Sequence, residues 1–361
     1  MSVGTVAVLG GGHGALAAAG DLGLRGYEVR LALRNRERFA ELFATRRVRL
    51  TGRIEGEAEL AWVGDDHTRA VAGADIVVVP LPGPAQAAMA ERVAGALAPG
   101  QVVYLTTGTF GSYVFGETLR RLGGPPVPVA ENATLPYGVR ATGGNSAQIG
   151  LVAEHLPTGV YPAAATDEAL ELVSELYPAT EAVEDALSAG LLNFDGALHP
   201  PLVLMNAGSI ENLPEFDVHL DGNPASVVRV SVALDEERIA VREALGYTAP
   251  HWPLADLYSR VGETFYGVIT RERMDRDSVW REKISFQHRY VEEDVGCGLA
   301  LWSSLGRRLG VHTPLADAFL TLASTINGVD YARTGRTLEN LEVAEASLEQ
   351  LKDWLVHGRS A

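Results

Sequence analysis

TVAVLGGGHGA, residues 5–15, places a short apolar run rich in β-branched residues directly before a cluster of glycines. The run predicts a buried strand, and the alanine-rich residues 15–25 predict the helix that follows. Strand, glycines and helix in this order form the G-x-G-x-x-A pattern of a dinucleotide-binding unit. Gly10 permits the tight turn, Gly12 lets the backbone approach a pyrophosphate, and Ala15 allows close helix–sheet packing. The cofactor-binding residues predicted in this loop are Gly10, Gly12, His13, Gly14 and Ala15.

The rest of the first half repeats this alternation of strand and helix. A second helix is predicted at residues 36–45. Further strands are predicted at residues 28–33, 76–80, 102–105 and 127–130, with a late strand at 148–154. Strands separated by helices predict a Rossmann-type, doubly wound parallel sheet. Pro82, which follows the strand at 76–80, is assigned to the cofactor site as well.

The second half changes character from about Asp185. Strand signals stop, and long amphipathic helical patterns follow at residues 226–246, 295–310, 315–327 and 338–357. The sequence therefore predicts a nucleotide-binding α/β domain over residues 1–182 and an all-helical domain over residues 183–361.

The composition limits the classes of partner. The chain carries 46 Asp and Glu against 30 Lys and Arg, a formal net charge of −16, which disfavours nucleic acid and anionic membranes. Cys297 is the single cysteine, so an intrachain disulfide and a cysteine-rich metal site are excluded. No segment has the pattern of a signal peptide or a membrane span, and we expect a cytoplasmic protein. The histidines show no metal-ligand spacing, and we expect no catalytic metal.

The end of the second predicted strand indicates which nicotinamide cofactor is preferred. An NAD-binding protein usually has an acidic residue there that binds the ribose hydroxyls. This chain reads Leu33-Arg34-Asn35-Arg36 instead. Two guanidinium groups and an amide suit a 2′-phosphate, so NADP(H) is favoured over NAD(H). The alternative is that these are ordinary surface arginines in an arginine-rich chain.

His199 is a candidate general acid–base because of its local sequence. It precedes Pro200-Pro201, and a residue before proline avoids the helical region while proline is favoured in a first helical turn. His199 is therefore predicted at a helix N-terminus, where the dipole disfavours its charged form while a facing carboxylate would favour it. These opposed effects suit proton exchange near neutral pH. On pattern alone, a packed or capping histidine is the alternative.

Three stretches carry a resemblance to the opine dehydrogenase family. The first is the glycine loop. The second, residues 130–140 (AENATLPYGVR), is similar to the family's A-E-x-x-T-L-P-Y-x-x-R segment. The third, residues 193–201 (NFDGALHPP), resembles its N-x-N-x-x-x-H-P signature. Weaker similarities follow in residues 234–238 and 289–295, and order and spacing agree over essentially the whole chain.

The resemblance implies a Rossmann-type domain joined to a helical domain, usually in a homodimer. The implied reaction is the reductive condensation of an α-keto acid with an amino acid or amine, by hydride transfer to an imine. The family's catalytic histidine corresponds to His199 and the aspartate that partners it to Asp294. Arg140 and Arg289 are candidate carboxylate-binding residues, with structural ion pairs as the alternative. The remaining substrate-binding candidates are Thr134, Tyr137, Asp195 and Asn206.

Departures from the family pattern affect the substrate more than the reaction. Residues 106–109 read Thr-Thr-Gly-Thr where Asn-Pro-Gly is common, and His13 stands where Asn is usual. Asp195 replaces the second Asn of the signature. Its carboxylate is expected to select a cationic amine or disfavour an acidic substrate, or else to cap the helix.

Other functions remain open on the sequence. An NADPH-dependent reductase of a 2-keto or 3-keto acid would use the same histidine to protonate an alkoxide. A non-enzymatic NADP(H)-binding protein and an enzyme that builds a metal-chelating product are further alternatives. Amine-dependent oxidation of NADPH distinguishes the condensing enzyme from the simple reductase.

Overall fold

The computed structural model describes residues 2–259, 261–268 and 283–359, and the chain divides into two compact units. The first comprises the chain up to Gly190 together with the segment after Leu351, and the second is Leu191–Leu351. The predicted boundary after residue 182 lies inside the first unit. The final segment, which the sequence assigns to the helical domain, is grouped with the first unit instead.

The first unit is built on an eight-stranded sheet in the order β12-β11-β8-β7-β6-β1-β2-β5. Its strands are β1 (Thr5–Leu9), β2 (Glu28–Ala32), β5 (Trp62–Gly64), β6 (Ile76–Val79), β7 (Val102–Leu105), β8 (Val129–Asn132), β11 (Leu156–Tyr161) and β12 (Thr180–Ala182). Neighbouring strands are parallel except for β11 and β8, which are antiparallel. The predicted α/β class with a doubly wound parallel sheet is confirmed, with this one antiparallel pairing added.

A second, four-stranded sheet lies in the same unit and was not predicted as a sheet. It has the order β4-β3-β10-β9, with β3 (Arg47–Gly52), β4 (Gly56–Glu59), β9 (Tyr137–Ala141) and β10 (Ser146–Val152). Helix α1 (His13–Leu24) packs against this sheet as well as against β1 and β2. Gly20 makes that packing close, because a Cβ there would lie 2.7 Å from Leu50. Helix α1 therefore packs against both sheets.

The remaining helices of the first unit flank the sheets. They are α2 (Ala40–Thr45), α3 (His67–Val71), α4 (Gln86–Val93), α5 (Gly111–Arg121), α6 (Thr166–Leu176) and α7 (Ala186–Leu192), which crosses the boundary. A helix was predicted over residues 36–45, but only its second half is helical. The side chain of Asn35 accepts the backbone N–H of Arg38, which holds a turn before α2.

The regular secondary structure of the second unit is helical within its described residues, apart from an isolated β-bridge between Thr264 and Gly267. Its helices are α8 (Asp195–Leu204), α9 (Ala207–Asn212), α10 (Ala225–Ala244), α11 (Arg289–Glu292), α12 (Ala300–Leu309), α13 (Pro314–Asn327), α14 (Tyr331–Thr334) and α15 (Leu348–His357), which continues into the first unit. A π-helical segment, Asp294–Leu299, lies between α11 and α12. The helix predicted over 338–357 is wrong in its first half, where Glu342 has a φ of 58° and interrupts the helical path. Within the described part of the chain, no helix is both long and apolar enough to cross a membrane.

Candidate active site

The glycine loop of the first unit has the geometry of a phosphate cradle. It begins at Gly10, whose φ of 136° is accessible to glycine but rarely to other residues. A Cβ on Gly12 would meet no heavy atom within 4 Å, so open space lies over the backbone at the start of α1. Gly12 caps this helix without a side chain that could satisfy its first N–H groups. The loop therefore fits the pyrophosphate of a dinucleotide.

The other predicted residues of the loop support its shape. The Cβ that Gly14 lacks would lie 3.3 Å from Pro80, and Ala15 is fully buried against the sheet. The ring of His13 accepts the backbone N–H of Ala141 through Nδ1, at 2.8 Å. His13 therefore ties the glycine loop to β9. Pro82 is exposed at the start of a short 3₁₀ helix after β6.

Two arginines follow the end of β2, at the position that distinguishes the two nicotinamide cofactors. Arg34, Asn35 and Arg36 are all exposed. The guanidinium of Arg36 makes two hydrogen bonds to the carboxylate of Asp65, at 2.8 and 2.9 Å. The pKa of Asp65 is lowered, mainly by this hydrogen bond. Asp65, which the sequence reasoning missed, therefore occupies two donors of the guanidinium that the sequence analysis assigned to a 2′-phosphate.

The segment at residues 130–140 organises the interior of the first unit. Glu131 is fully buried and accepts the backbone N–H of Phe110 at 2.7 Å, which holds the loop that follows β7. The hydroxyl of Tyr137 donates to Asp21 on α1 at 2.6 Å. This contact holds the predicted substrate residue Tyr137 inside the unit. Thr134 and Arg140, on the same segment, are partly exposed, and Arg140 pairs in register with Gln148 of β10.

His199 and Asp294 are brought together in the second unit although 95 residues separate them in sequence. Nδ1 of His199 lies 2.7 Å from Oδ2 of Asp294, and both side chains are buried. Gly196 allows the close packing behind this contact, because a Cβ there would lie 2.9 Å from Trp302 and 3.5 Å from the Asp294 carbonyl. A pair that is buried and hydrogen-bonded in this way can hold or transfer a proton.

The predicted position of His199 at a helix N-terminus is wrong. Helix α8 begins at Asp195, so His199 lies one turn inside it, and Pro200 and Pro201 are also within the helix. Because the helix dipole acts mainly in the first turn, its effect on the imidazole is weaker than the sequence argument assumed. The facing carboxylate of Asp294 is the nearer influence.

Burial dominates the electrostatics of this site. It raises the pKa of Asp294 to about 7, against the opposing effect of Arg289 and His288. Burial also raises the pKa of Asp195. A carboxyl group with a pKa near neutrality next to an imidazole gives a pair that can share one proton at neutral pH.

Arg289 lies among the carboxylates of the site. Its guanidinium is 3.7 Å from Asp195 and 3.5 Å from Glu293. Burial lowers the pKa of Arg289, but the carboxylates outweigh it, led by Glu293, and the net shift is upward. Asp195 is the first residue of α8, but Phe194 is at the N-cap position and no side-chain capping hydrogen bond is formed, so the predicted alternative that Asp195 caps the helix is wrong. Asp195 and Glu293 already interact with the guanidinium of Arg289. A substrate carboxylate bound by Arg289, as predicted, would share the guanidinium with them.

Asn206 is used at the other end of α8. Its amide donates to the carbonyls of Leu202 and Gly222, at 2.8 and 2.7 Å. These bonds join the end of α8 to the turn near residue 222. Its predicted role in binding substrate stays a prediction.

The site also holds a geometry that sequence spacing did not reveal. Asp195, His199 and Asp294 each offer a ligand atom, and these atoms lie within 4.8 Å of one another. Such a group can accept a divalent cation, although Nδ1 of His199 is already bonded to Asp294. The expectation of no catalytic metal stays a prediction. Tyr290, whose ring is stacked on His199, lies in the stretch 289–295 of the family resemblance, where the sequence analysis gave it no role.

Comparison with known proteins places the chain in a family. Residues 182–327 match the model of the NAD/NADP octopine/nopaline dehydrogenase α-helical domain. An opine dehydrogenase from Arthrobacter sp. (strain 1C) is 31% identical over 342 residues, which cover 93% of this chain and 94% of that protein. The chain belongs to the opine dehydrogenase family. It is an NAD(P)-dependent oxidoreductase of the class that acts on CH–NH bonds, and its reaction is the condensation of a keto acid with an amino acid.

Solved structures of opine dehydrogenases share the fold. An octopine dehydrogenase with NADH and L-arginine has a TM-score of 0.73 at 19% identity, covering 99% of both chains. A yersinopine dehydrogenase with NADP⁺ bound has a TM-score of 0.67 at 15% identity, covering 98% of this chain and 99% of that one. One of these opine dehydrogenases is bound to NADH and the other to NADP⁺, so the shared fold leaves the choice of cofactor to local residues.

Proposed function

We propose that this opine dehydrogenase uses NADPH in preference to NADH and reduces the imine formed from an α-keto acid and an amino acid or amine. His199 exchanges the proton and Asp294 orients its ring. The observation that carries this proposal is the buried hydrogen bond between the two side chains, at 2.7 Å. The raised pKa of Asp294, about 7, supports a shared proton at the pH where such an enzyme works.

The residues that would hold the cofactor are those of the glycine loop. Gly10 and Gly12 provide the turn and the open backbone, and the N-terminus of α1 provides N–H groups and positive potential for the pyrophosphate. When bound, the nicotinamide supplies a hydride to the substrate carbon. Gly14, Ala15 and His13 keep the loop in place against the sheet and β9.

The preference for NADPH is supported by Arg34 and Arg36. Arg34 is exposed and has no hydrogen bond or ion pair with any part of the chain that the structure describes. It is therefore available to a 2′-phosphate, while Arg36 must divide its donors between that phosphate and Asp65. No carboxylate follows β2 directly, where ribose hydroxyls are usually bound.

Protons move through His199 in the proposed reaction. The amine nitrogen adds to the keto carbon, and the resulting carbinolamine loses water to give an imine, which is then reduced to a secondary amine. Nδ1 of His199 is bonded to Asp294, so Nε2 is the atom that we propose donates a proton to the departing hydroxyl group. As the proton leaves, the carboxylate of Asp294 keeps the ring in its orientation.

The substrates are proposed by class only. The octopine dehydrogenase structures hold L-arginine, agmatine or pyruvate, which supports a keto acid and an amino compound here. The carboxylates of Asp195, Glu293 and Asp294 outnumber the guanidinium of Arg289, and this balance favours an amine that carries an additional positive charge. A cytoplasmic location and a homodimeric assembly stay predictions, and light scattering tests the assembly.

The test is oxidation of NADPH and of NADH with a panel of keto acids, each with and without a pool of amino acids and amines. The proposal expects turnover only when an amine is present, and a higher kcat/KM with NADPH. His199→Gln should lose about 100-fold or more of kcat. His312→Gln, an exposed histidine of the same unit, is the matched control and should keep normal turnover. Turnover with a keto acid alone would assign the chain to the carbonyl reductases instead.

A further inference from the structure

Tyr290 covers one face of the proposed catalytic imidazole. The rings of Tyr290 and His199 are parallel within 10°, and their centres are 3.6 Å apart. Tyr290 lies in α11, directly before the π-helical segment that carries Asp294, while His199 lies on α8. The imidazole is therefore held by its edge through Asp294 and by its face through Tyr290.

Tyr290 is itself held from two sides. Its hydroxyl lies 3.1 Å from Nε2 of His219, a buried residue of the turn after α9. The ring of His288 stands edge-on to Tyr290, with centres 4.4 Å apart, and its Nδ1 accepts the backbone N–H of Tyr290 at 3.3 Å. A ring with both a fixed backbone and a hydrogen-bonded hydroxyl loses the freedom to rotate or slide.

We propose that Tyr290 is a positioning residue for proton transfer at His199 and that His219 acts through Tyr290 by fixing its ring. This rests on the proposed function, in which His199 exchanges the proton. The hydrogen bond to Asp294 limits rotation of the imidazole within its plane, and the stack prevents the plane from tilting. The electron-rich face of the phenol ring also stabilises the imidazolium that forms when His199 is protonated.

Other charged groups of the site act on the same imidazole, and a pH profile has to be interpreted with all of them. Those that face the stacked pair from its own and neighbouring elements are Asp195, His219, His288, Arg289, Glu293 and Asp294. The Tyr290 variants leave each of these six groups in place, and only His219→Ala changes one of them. Because Tyr290→Phe also removes the phenol hydroxyl, a shift that Tyr290→Leu shows and Tyr290→Phe does not reports the loss of the ring.

The experiment measures kcat, KM and the pH profile of kcat for Tyr290→Leu and Tyr290→Phe. Tyr331→Leu is the matched control, because Tyr331 is also buried beside the π-helical segment but lies against Gly296. Tyr290→Leu should lower kcat between about 10-fold and 100-fold with KM values within about twofold, because misplacing a reacting group has this effect. The limb of the profile that reports the imidazole should move to lower pH by roughly half a unit. Tyr290→Phe keeps the stack and should retain kcat within about threefold.

Two results would overturn the inference. One is a folded Tyr290→Leu protein whose kcat and pH profile match those of Tyr331→Leu, and the other is equal damage from Tyr290→Phe and Tyr290→Leu. If Tyr290→Leu does not fold, His219→Ala takes its place. We expect His219→Ala to lose less kcat and to shift the pH profile of kcat in the same direction. An unchanged pH profile would contradict the inference. A normal kcat in His199→Gln would instead refute the proposed function, so the two failures are distinguishable.

Discussion

Replacing Asp294 by asparagine removes a buried ionisable group while keeping the shape of the side chain. The pKa of Asp294 is about 7 in the folded chain against 3.8 for an exposed aspartate, because burial disfavours its charged form. Each pKa unit corresponds to 1.36 kcal/mol, so the shift represents about 4 kcal/mol. This is the contribution of Asp294 to the free energy of unfolding that changes with pH.

The sign follows from the direction of the shift. The folded chain binds the proton of Asp294 more tightly than the unfolded chain does. The contribution to stability is therefore fully present below about pH 4 and is lost as the pH rises through about 7. Most of the change, roughly 2 to 3 kcal/mol, falls between pH 5 and pH 8. The Asp294→Asn protein has no such dependence, so it should gain stability relative to the native protein over this interval.

The assay is urea unfolding of the native protein and Asp294→Asn at pH 5, 6.5 and 8. Glu345→Gln, an exposed acidic residue of the same unit, is the control for the loss of one negative charge. The stability of Asp294→Asn relative to the native protein should increase with pH. The kcat of Asp294→Asn should also be lower than that of the native protein by about 100-fold or more, because asparagine lacks the charge that supports the imidazolium. A stability difference that is the same at pH 5 and pH 8 would refute the argument that Asp294 is buried at an energetic cost.

Three further predictions concern single contacts. Arg34→Ala should weaken NADPH binding by about 10-fold or more and leave NADH binding nearly unchanged, as measured by fluorescence titration at low salt. An equal effect on both cofactors would contradict the proposed preference for NADPH. Gly196→Ala brings a methyl group against Trp302, so it should destabilise the fold by about 1–3 kcal/mol and lower kcat, and unchanged thermal unfolding would show that the close packing is not needed. Tyr137→Phe removes the hydroxyl donor that lies 2.6 Å from Asp21 and leaves that carboxylate only the more distant Arg25, at 3.6 Å. It should cost about 1–3 kcal/mol in the free energy of unfolding, while KM for the substrates stays constant. A raised KM at normal stability would instead support the predicted role of Tyr137 in binding substrate.

The sequence predicts the elements whose signals are local. The strand at Thr5–Leu9 and the glycines after it lie where expected, because an apolar β-branched run and a Gly-rich turn need no distant partner to be recognised. Of the four-stranded sheet, β10 was predicted as the strand at 148–154, whereas β3 and β4 were missed because they are short and largely polar. In β3, only Val48 and Leu50 are buried, and the neighbouring Arg47 and Arg49 are exposed.

Contacts between distant residues could not be predicted from spacing. His199 and Asp294 were paired only through the family resemblance, because nothing in the residues between them indicates that α8 and the π-helical segment pack together. The start of α8 was misplaced because two consecutive prolines usually mark a first turn, whereas here they lie inside the helix. Gly196 is the one sequence signal for this packing, since a small residue one turn before a histidine permits close approach of another helix.

In the proposed reaction, hydride reduces an imine while His199 supplies the proton. The most direct test uses NADPH deuterated at C4 of the nicotinamide with a keto acid and an amine, followed by mass spectrometry of the products. The expected product is a secondary amine carrying one deuterium at the former keto carbon, formed at the same rate by the native protein and by His312→Gln and about 100-fold or more slowly by His199→Gln. Deuterium found in a hydroxy acid, with none in a secondary amine, would contradict it.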